Sequence, residues 1–92
     1  MQKDMTGIRY FVQPSDVWAY YQKNKKHLTE KMEIIADNGT DDMDRRIWIY
    51  LDNNEGRPFI MAEDAEIIIC SVYLNKKNCA LQIANMCKHY LL

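Results

Sequence analysis

Alternation of apolar and polar side chains is clearest in the middle of the chain. In "RRIWIYL" (45–51), Ile47, Ile49 and Leu51 form one face of a strand, with Trp48 and Tyr50 on the other. In "RPFIMA" (57–62), Phe59 and Met61 alternate with Ile60 and Ala62, and Pro58 stands at the start, where a strand tolerates it. The two runs predict a hairpin whose loop lies within Asp52–Arg57.

Upstream, "IRYFV" (8–12) is rich in β-formers and ends at Gln13-Pro14, which predicts a short leading strand. "PSDVWAYYQKNKKH" (14–27) reads as a helix. Ser15 or Asp16 can cap it, and Val17, Tyr20, Tyr21 and Asn24 fall at helical spacing. Lys23, Lys25 and Lys26 then lie near the helix C-terminus, where cations suit the dipole. "LTEKMEIIADNG" (28–39) admits two periods. A helix would align Leu28, Met32 and Ile35, whereas a strand sets Met32, Ile34 and Ala36 against Glu33 and Ile35. The turn signal Asp37-Asn38-Gly39, with another β-rich run close behind, favours the strand.

Downstream, "AEDAEIIICSVYL" (62–74) is also ambiguous. Its β-branched residues suit a strand. Yet Asp64 can cap, Ala65 and Glu66 suit a first turn, and Ala65, Ile68, Ile69, Val72 and Tyr73 keep helical spacing, so a buried helix is expected. "NKKN" (75–78) is then a turn. "CALQIANMCKHYLL" (79–92) closes the chain as a helix with Ala80, Ile83, Ala84, Cys87, Tyr90 and Leu91 on one face.

The elements predict an α+β domain: a leading strand and helix, a three-stranded antiparallel meander, and two C-terminal helices packed on one face of the sheet. Trp48 and Tyr50 then fall on the opposite face. They either pack under the first helix or form an exposed aromatic patch, the kind of surface that marks a protein interface.

Composition narrows the class. A chain of 92 residues supports a single core, so 1–92 is one small globular domain. With 48% apolar and 27% charged residues, it has the profile of a soluble globular protein. The N-terminus lacks a signal-peptide run, and "IIICSVYL" (67–74) is about a third of a membrane span, so a cytoplasmic protein without membrane contact is expected. Cys70, Cys79 and Cys87 are odd in number and lie in apolar runs, which suits buried thiols. The net charge of −1 does not fit a generic nucleic-acid binder, since that affinity rests on clustered cations. Charge is nonetheless uneven, with Asp37, Asp41, Asp42 and Asp44 gathered in "DNGTDDMD" (37–44).

Catalytic constellations fail on spacing. The cysteines contain no C-x-x-C pair, and Cys87 and His89, two apart, point to different sides of a helix, so no zinc site is expected. The three glycines are scattered, so no phosphate cradle is expected. Neither Ser15 nor Ser71 lies in a G-x-S-x-G setting. "DNNEGRP" (52–58) invites a calcium reading, with Asp52 first, Asn54 third and Glu63 twelfth. But Gly56 arrives at the fifth position, and strand signals flank the loop where helices are required. An enzyme, a metal and a cofactor are all unexpected.

The stretch "MEIIADNGTDDMDRRIWIYLDNNEGRPFIMAEDAEIIICSVYL" (32–74) gives a strand, an Asp/Asn/Gly acidic loop, a strand ending in an Asn-rich turn, a third strand and a helix. This order resembles the small phage anti-CRISPR proteins that block Cas9. The resemblance implies acidic loops that mimic DNA phosphates. It would set Asp37, Asp41, Asp42, Asp44, Asp52 and Glu55 against the arginines that read the PAM. Those inhibitors are strongly acidic, whereas this chain is almost neutral.

The sequence therefore points to a non-enzymatic module that binds a protein partner, with an inhibitor of a bacterial defence nuclease, a CRISPR nuclease among them, as its sharpest form. The residues expected at the contact are Asp37, Asp41, Asp42, Asp44, Trp48, Tyr50, Asp52 and Glu55. One alternative is a single-stranded nucleic-acid module using Lys23, Lys25, Lys26, Lys76 and Lys77 with Tyr20 and Tyr21 as stacking groups. Another is a structural homodimer with Trp48 and Tyr50 at the seam.

Overall fold

The computed structural model describes residues 7–40, 44–54 and 56–92. The elements run β1 (Arg9–Tyr10), a 3-10 turn (Pro14–Asp16), α1 (Val17–Leu28), β2 (Glu33–Asp37), β3 (Arg45–Asp52), β4 (Arg57–Asp64), β5 (Ile67–Tyr73) and α2 (Cys79–Tyr90). All strands join one antiparallel sheet in the order β1-β2-β3-β4-β5. The fold class remains α+β, but two parts of the expected architecture are corrected. The sheet has five strands rather than three, because β1 pairs with β2 and "IIICSVY" pairs with β4. Only one helix, α2, follows the sheet.

The second correction has a local cause. Asp64 pairs with Ile67, leaving Ala65 and Glu66 as a two-residue hairpin loop. Both central residues take positive φ, 50° and 72°, the conformation of a type I′ turn, whose twist matches the flanking strands. Ala and Glu are poor signals for that turn, since a side chain in the left-handed region costs roughly 1–2 kcal/mol. Ala and Glu at this point suggest instead the first turn of a helix. Replacing Ala65-Glu66 with Asn-Gly is expected to stabilise the domain by about 1 kcal/mol. The shift in the urea midpoint would measure it.

The strand reading of 28–37 holds for its second half, with α1 reaching Leu28 and β2 starting at Glu33. In α1, Val17, Tyr21 and Leu28 form the buried stripe. The helix departs from helical geometry at Asn24 (φ −114°, ψ 18°), whose Nδ2 donates to the Tyr20 carbonyl at 2.9 Å. In α2 the buried stripe is Cys79, Ile83, Met86 and Cys87. It is rotated from the expected one, since Ala80 is exposed and Ala84 and Tyr90 are only partly buried.

Both helices cover one face of the sheet. Ile47, Ile49 and Leu51 from β3 and Ile60 and Ala62 from β4 bury against the α1 and α2 stripes. β2 reaches the same layer through a bulge between its Ile34 and Ala36 pairings, which leaves Ile35 and Ala36 both fully buried.

The remaining turns are built by carboxamides and carboxylates. Asp37 Oδ1 accepts from the Gly39 amide at 2.8 Å, and Gly39 adopts φ 71° where a Cβ would strike the Gly7 carbonyl. In the β3–β4 connection, the Asp52 carbonyl accepts from Gly56 at 2.7 Å and its Oδ1 from Asn54 at 2.9 Å. The loop that invited a calcium reading is thus a hairpin turn closed by the Asp52–Arg57 pair, and Asp52 bonds the turn itself.

Candidate functional site

Because strand side chains alternate, burying Ile47, Ile49 and Leu51 sends Arg46, Trp48, Tyr50 and Asp52 to the other face. The register places Met61 and Ser71 beside Trp48, and Phe59 and Tyr73 beside Tyr50. Ile34 flanks Trp48 from β2. An antiparallel sheet with one solvated face ordinarily shows polar residues there. Here the centre of that face is apolar and aromatic, and α1 and α2 both pack on the opposite one.

The aromatic row is ordered. Tyr50 and Phe59 meet edge to face with centroids 5.4 Å apart, as do Phe59 and Tyr73 at 5.7 Å. The Tyr73 hydroxyl donates to Asp52 Oδ2 at 2.6 Å, and the Arg57 guanidinium lies 4.4 Å from the Tyr73 ring centroid. At the other end, Trp48 Nε1 donates to Glu63 Oε1 at 2.7 Å, and Arg46 approaches the same oxygen at 3.5 Å. The result is an apolar strip bounded at each end by an arginine and a carboxylate. Two shallow grooves flank it. One of about 390 Å³ is lined by Tyr50, Phe59, Ser71 and Tyr73. The other, of about 550 Å³, is lined by Phe11, Tyr20, Met32, Ile34 and Trp48.

Of the expected contact residues, Trp48 and Tyr50 lie together at the centre of this strip, both half-buried. They do not pack under α1. Asp52 is at its rim. Asp37 is elsewhere: it is 2% exposed and accepts from Arg9 at 3.2 Å and 2.7 Å, a bidentate pair that ties β1 to β2. Asp44 is exposed at the far end of β3 from Asp52, about 25 Å away along the strand. Asp41, Asp42 and Glu55 lie outside the described residues. The described acids therefore do not form one surface. Reading the sequence alone misses Phe59, Met61 and Tyr73 as members of the face, although the alternation of "RPFIMA" would have paired Phe59 with Tyr50 once the hairpin loop was fixed.

Of the residues of the nucleic-acid alternative, Tyr20 and Lys23 line one groove with Phe11. Lys23, Lys25 and Lys26 ride on α1, and Tyr20 of the same helix also lines the groove that reaches Trp48. Tyr21 is buried, with Lys25 Nζ 5.6 Å from its ring. Among the described residues, no group of three or more His, Cys, Asp or Glu side chains is placed to hold a metal, and no helix is long and apolar enough to cross a membrane.

The thiols belong to the core. Cys79 and Cys87 lie on the buried stripe of α2, and Cys70 on β5 is partly buried. Burial pushes the Cys87 thiol from 9.0 up to about 12, with hydrogen bonding to Tyr10 partly opposing it. The folded chain therefore holds this proton more tightly than the unfolded one. The resulting stability is complete below pH 9 and is lost as pH rises towards 12. Burial raises Cys79 and Tyr10 too, with the same sign. The thermal midpoint is expected to fall above pH 9, and Cys87→Ala to flatten that fall.

No family model matches the chain, and no curated protein and no solved structure matches it either. The fold and the site define a small α+β domain with one face of its sheet covered by helices and the other carrying an aromatic strip.

Proposed function

We propose that the chain is a non-enzymatic protein-binding module whose contact surface is the aromatic strip around Trp48, Tyr50 and Phe59. One observation carries this reading: the sheet face away from both helices is apolar at its centre and bounded at each end by charge. An apolar centre of Trp, Tyr, Phe and Met inside a polar rim is the composition of a protein interface. The grooves on either side supply the relief into which a partner's side chains fit.

Affinity capture with the full chain tests the proposal, with Trp48→Ala as the paired control. Purified CRISPR nucleases are one set of partners to try, although the helix in the order that suggested them is the strand β5, and a host lysate is the broader source. A protein that the wild type retains and the Trp48 variant releases supports the reading. Capture that is indifferent to Trp48, or no protein captured at all, overturns it.

A further inference from the structure

β5 is the outer strand of the sheet, and its exposure is unlike that of the other strands. Ile67 is 69% exposed, Ile68 60% and Ile69 47%, so three consecutive isoleucines face solvent at an edge. Natural edges are usually blunted by charge or proline, because unpaired backbone groups template another strand. Between Glu66 and Lys76 this sequence has neither.

The backbone bonds show which part of that edge is open. The Leu74 amide donates to the Pro58 carbonyl at 2.8 Å, so Leu74, Val72 and Cys70 turn their backbone towards β4, while Ser71 and Tyr73 turn theirs outward. At the C-terminal end the outward groups are already met by α2. Gln82 Nε2 donates to the Tyr73 carbonyl at 3.2 Å, and its Oε1 accepts from the Asn75 amide at 2.8 Å. A side-chain amide thus stands in for a neighbouring strand at Tyr73–Asn75. Among the described residues, Ile67–Val72 has no strand on that side.

We propose that a second copy of this chain pairs with β5 along Ile67–Val72, antiparallel and about a two-fold axis perpendicular to the sheet. Charge selects this occupant and this direction. The strand is uncharged, its entry carries Glu66, and its exit carries Lys76 and Lys77. Two-fold antiparallel pairing along Ile67–Val72 sets Glu66 of each copy opposite Tyr73 of the other, about 10 Å along the strand from Lys76, so each acidic end lies on the side of the other copy's Lys76-Lys77 pair, twice over. Parallel pairing would set like charges together. The axis keeps matching faces on one side, so the two five-stranded sheets become one and their aromatic strips lie on the same surface, with all helices on the other. This inference is independent of the protein-binding reading, since it uses the β5 edge and not the aromatic strip.

Sedimentation equilibrium on the full chain tests it, with circular dichroism to check folding. The wild type is expected to be a reversible dimer. Ile68→Lys, at an exposed position, is expected to weaken the dimer about tenfold or more by setting a charge into the uncharged seam, opposite Ser71 of the other copy. Glu66→Lys is expected to weaken it less. Adding Lys76→Glu and Lys77→Glu to Glu66→Lys restores the opposite-charge pairing and is expected to recover affinity to within about threefold of wild type. A strictly monomeric wild type overturns the proposal, as does a dimer indifferent to Ile68→Lys. A dimer dissolved by Trp48→Ala but not by Ile68→Lys also overturns it, by placing the seam on the aromatic strip.

Discussion

Ile49→Ala is expected to destabilise the domain by about 2–5 kcal/mol, the range for truncating a buried isoleucine. Ile49 is 0% exposed and sits on the central strand, with Glu33 opposite it on β2 and Ile60 on β4. Its side chain points into the layer shared with α1 and α2, so the cavity left behind is walled by three elements and closes poorly. A chain of 92 residues has a total stability of about 5–14 kcal/mol, so the loss removes a large fraction of it. Leu81→Ala provides the contrast. Leu81 is equally apolar but 61% exposed on α2, and its truncation is expected to move stability by less than about 0.5 kcal/mol. Urea unfolding of the two variants separates them, and equal losses would contradict the assignment of the buried face.

Trp48→Ala is expected to weaken partner binding about thirtyfold or more, the effect of losing an interface residue worth at least about 2 kcal/mol. Trp48 combines the features of such a residue. It is central in the strip, it touches the groove lined by Ile34 and Phe11, and its indole N–H is fixed by Glu63. Fixing the ring in advance lowers the entropy lost on binding. The fold should survive, because the ring is only half-buried and the hydrogen bond removed contributes about 1 kcal/mol. Trp48→Phe keeps an aromatic surface and is expected to retain most of the affinity. Lys25→Ala with Lys26→Ala, on the helix layer, is expected to leave protein binding unchanged. If the lysine pair mattered and Trp48 did not, the reading of the aromatic face would fail.

Periodicity was legible where each side chain's environment followed from its own strand. Ile47, Ile49 and Leu51 against Trp48 and Tyr50 needed only the two-residue period and the knowledge that one face is buried. The Asp52–Arg57 hairpin was legible for a similar reason, since Asn and Gly advertise a turn through backbone conformations they alone adopt easily. β5 was not. A run of isoleucines suits either strand or helix, and the turn that decides the matter is made by Ala65 and Glu66, whose identities favour the other answer. Nor could Asp37 be told from an outward-facing acid. Its burial depends on Arg9, which lies 28 residues away in sequence and becomes its neighbour only when β1 pairs with β2.

By itself, then, the sequence determined the α+β class, the hydrophobic face of the central strand, a helix within 14–27 and another within 79–92, and the misfit with a calcium loop. Those are properties of local period and local turn chemistry, which act over a few residues. Only the tertiary structure decided which face the helices cover, that β5 forms an exposed edge, and that Trp48, Tyr50, Phe59 and Tyr73 share one surface. Each of those depends on cross-strand register and on which apolar surfaces reach each other first, and these are set by contacts between residues far apart in the chain.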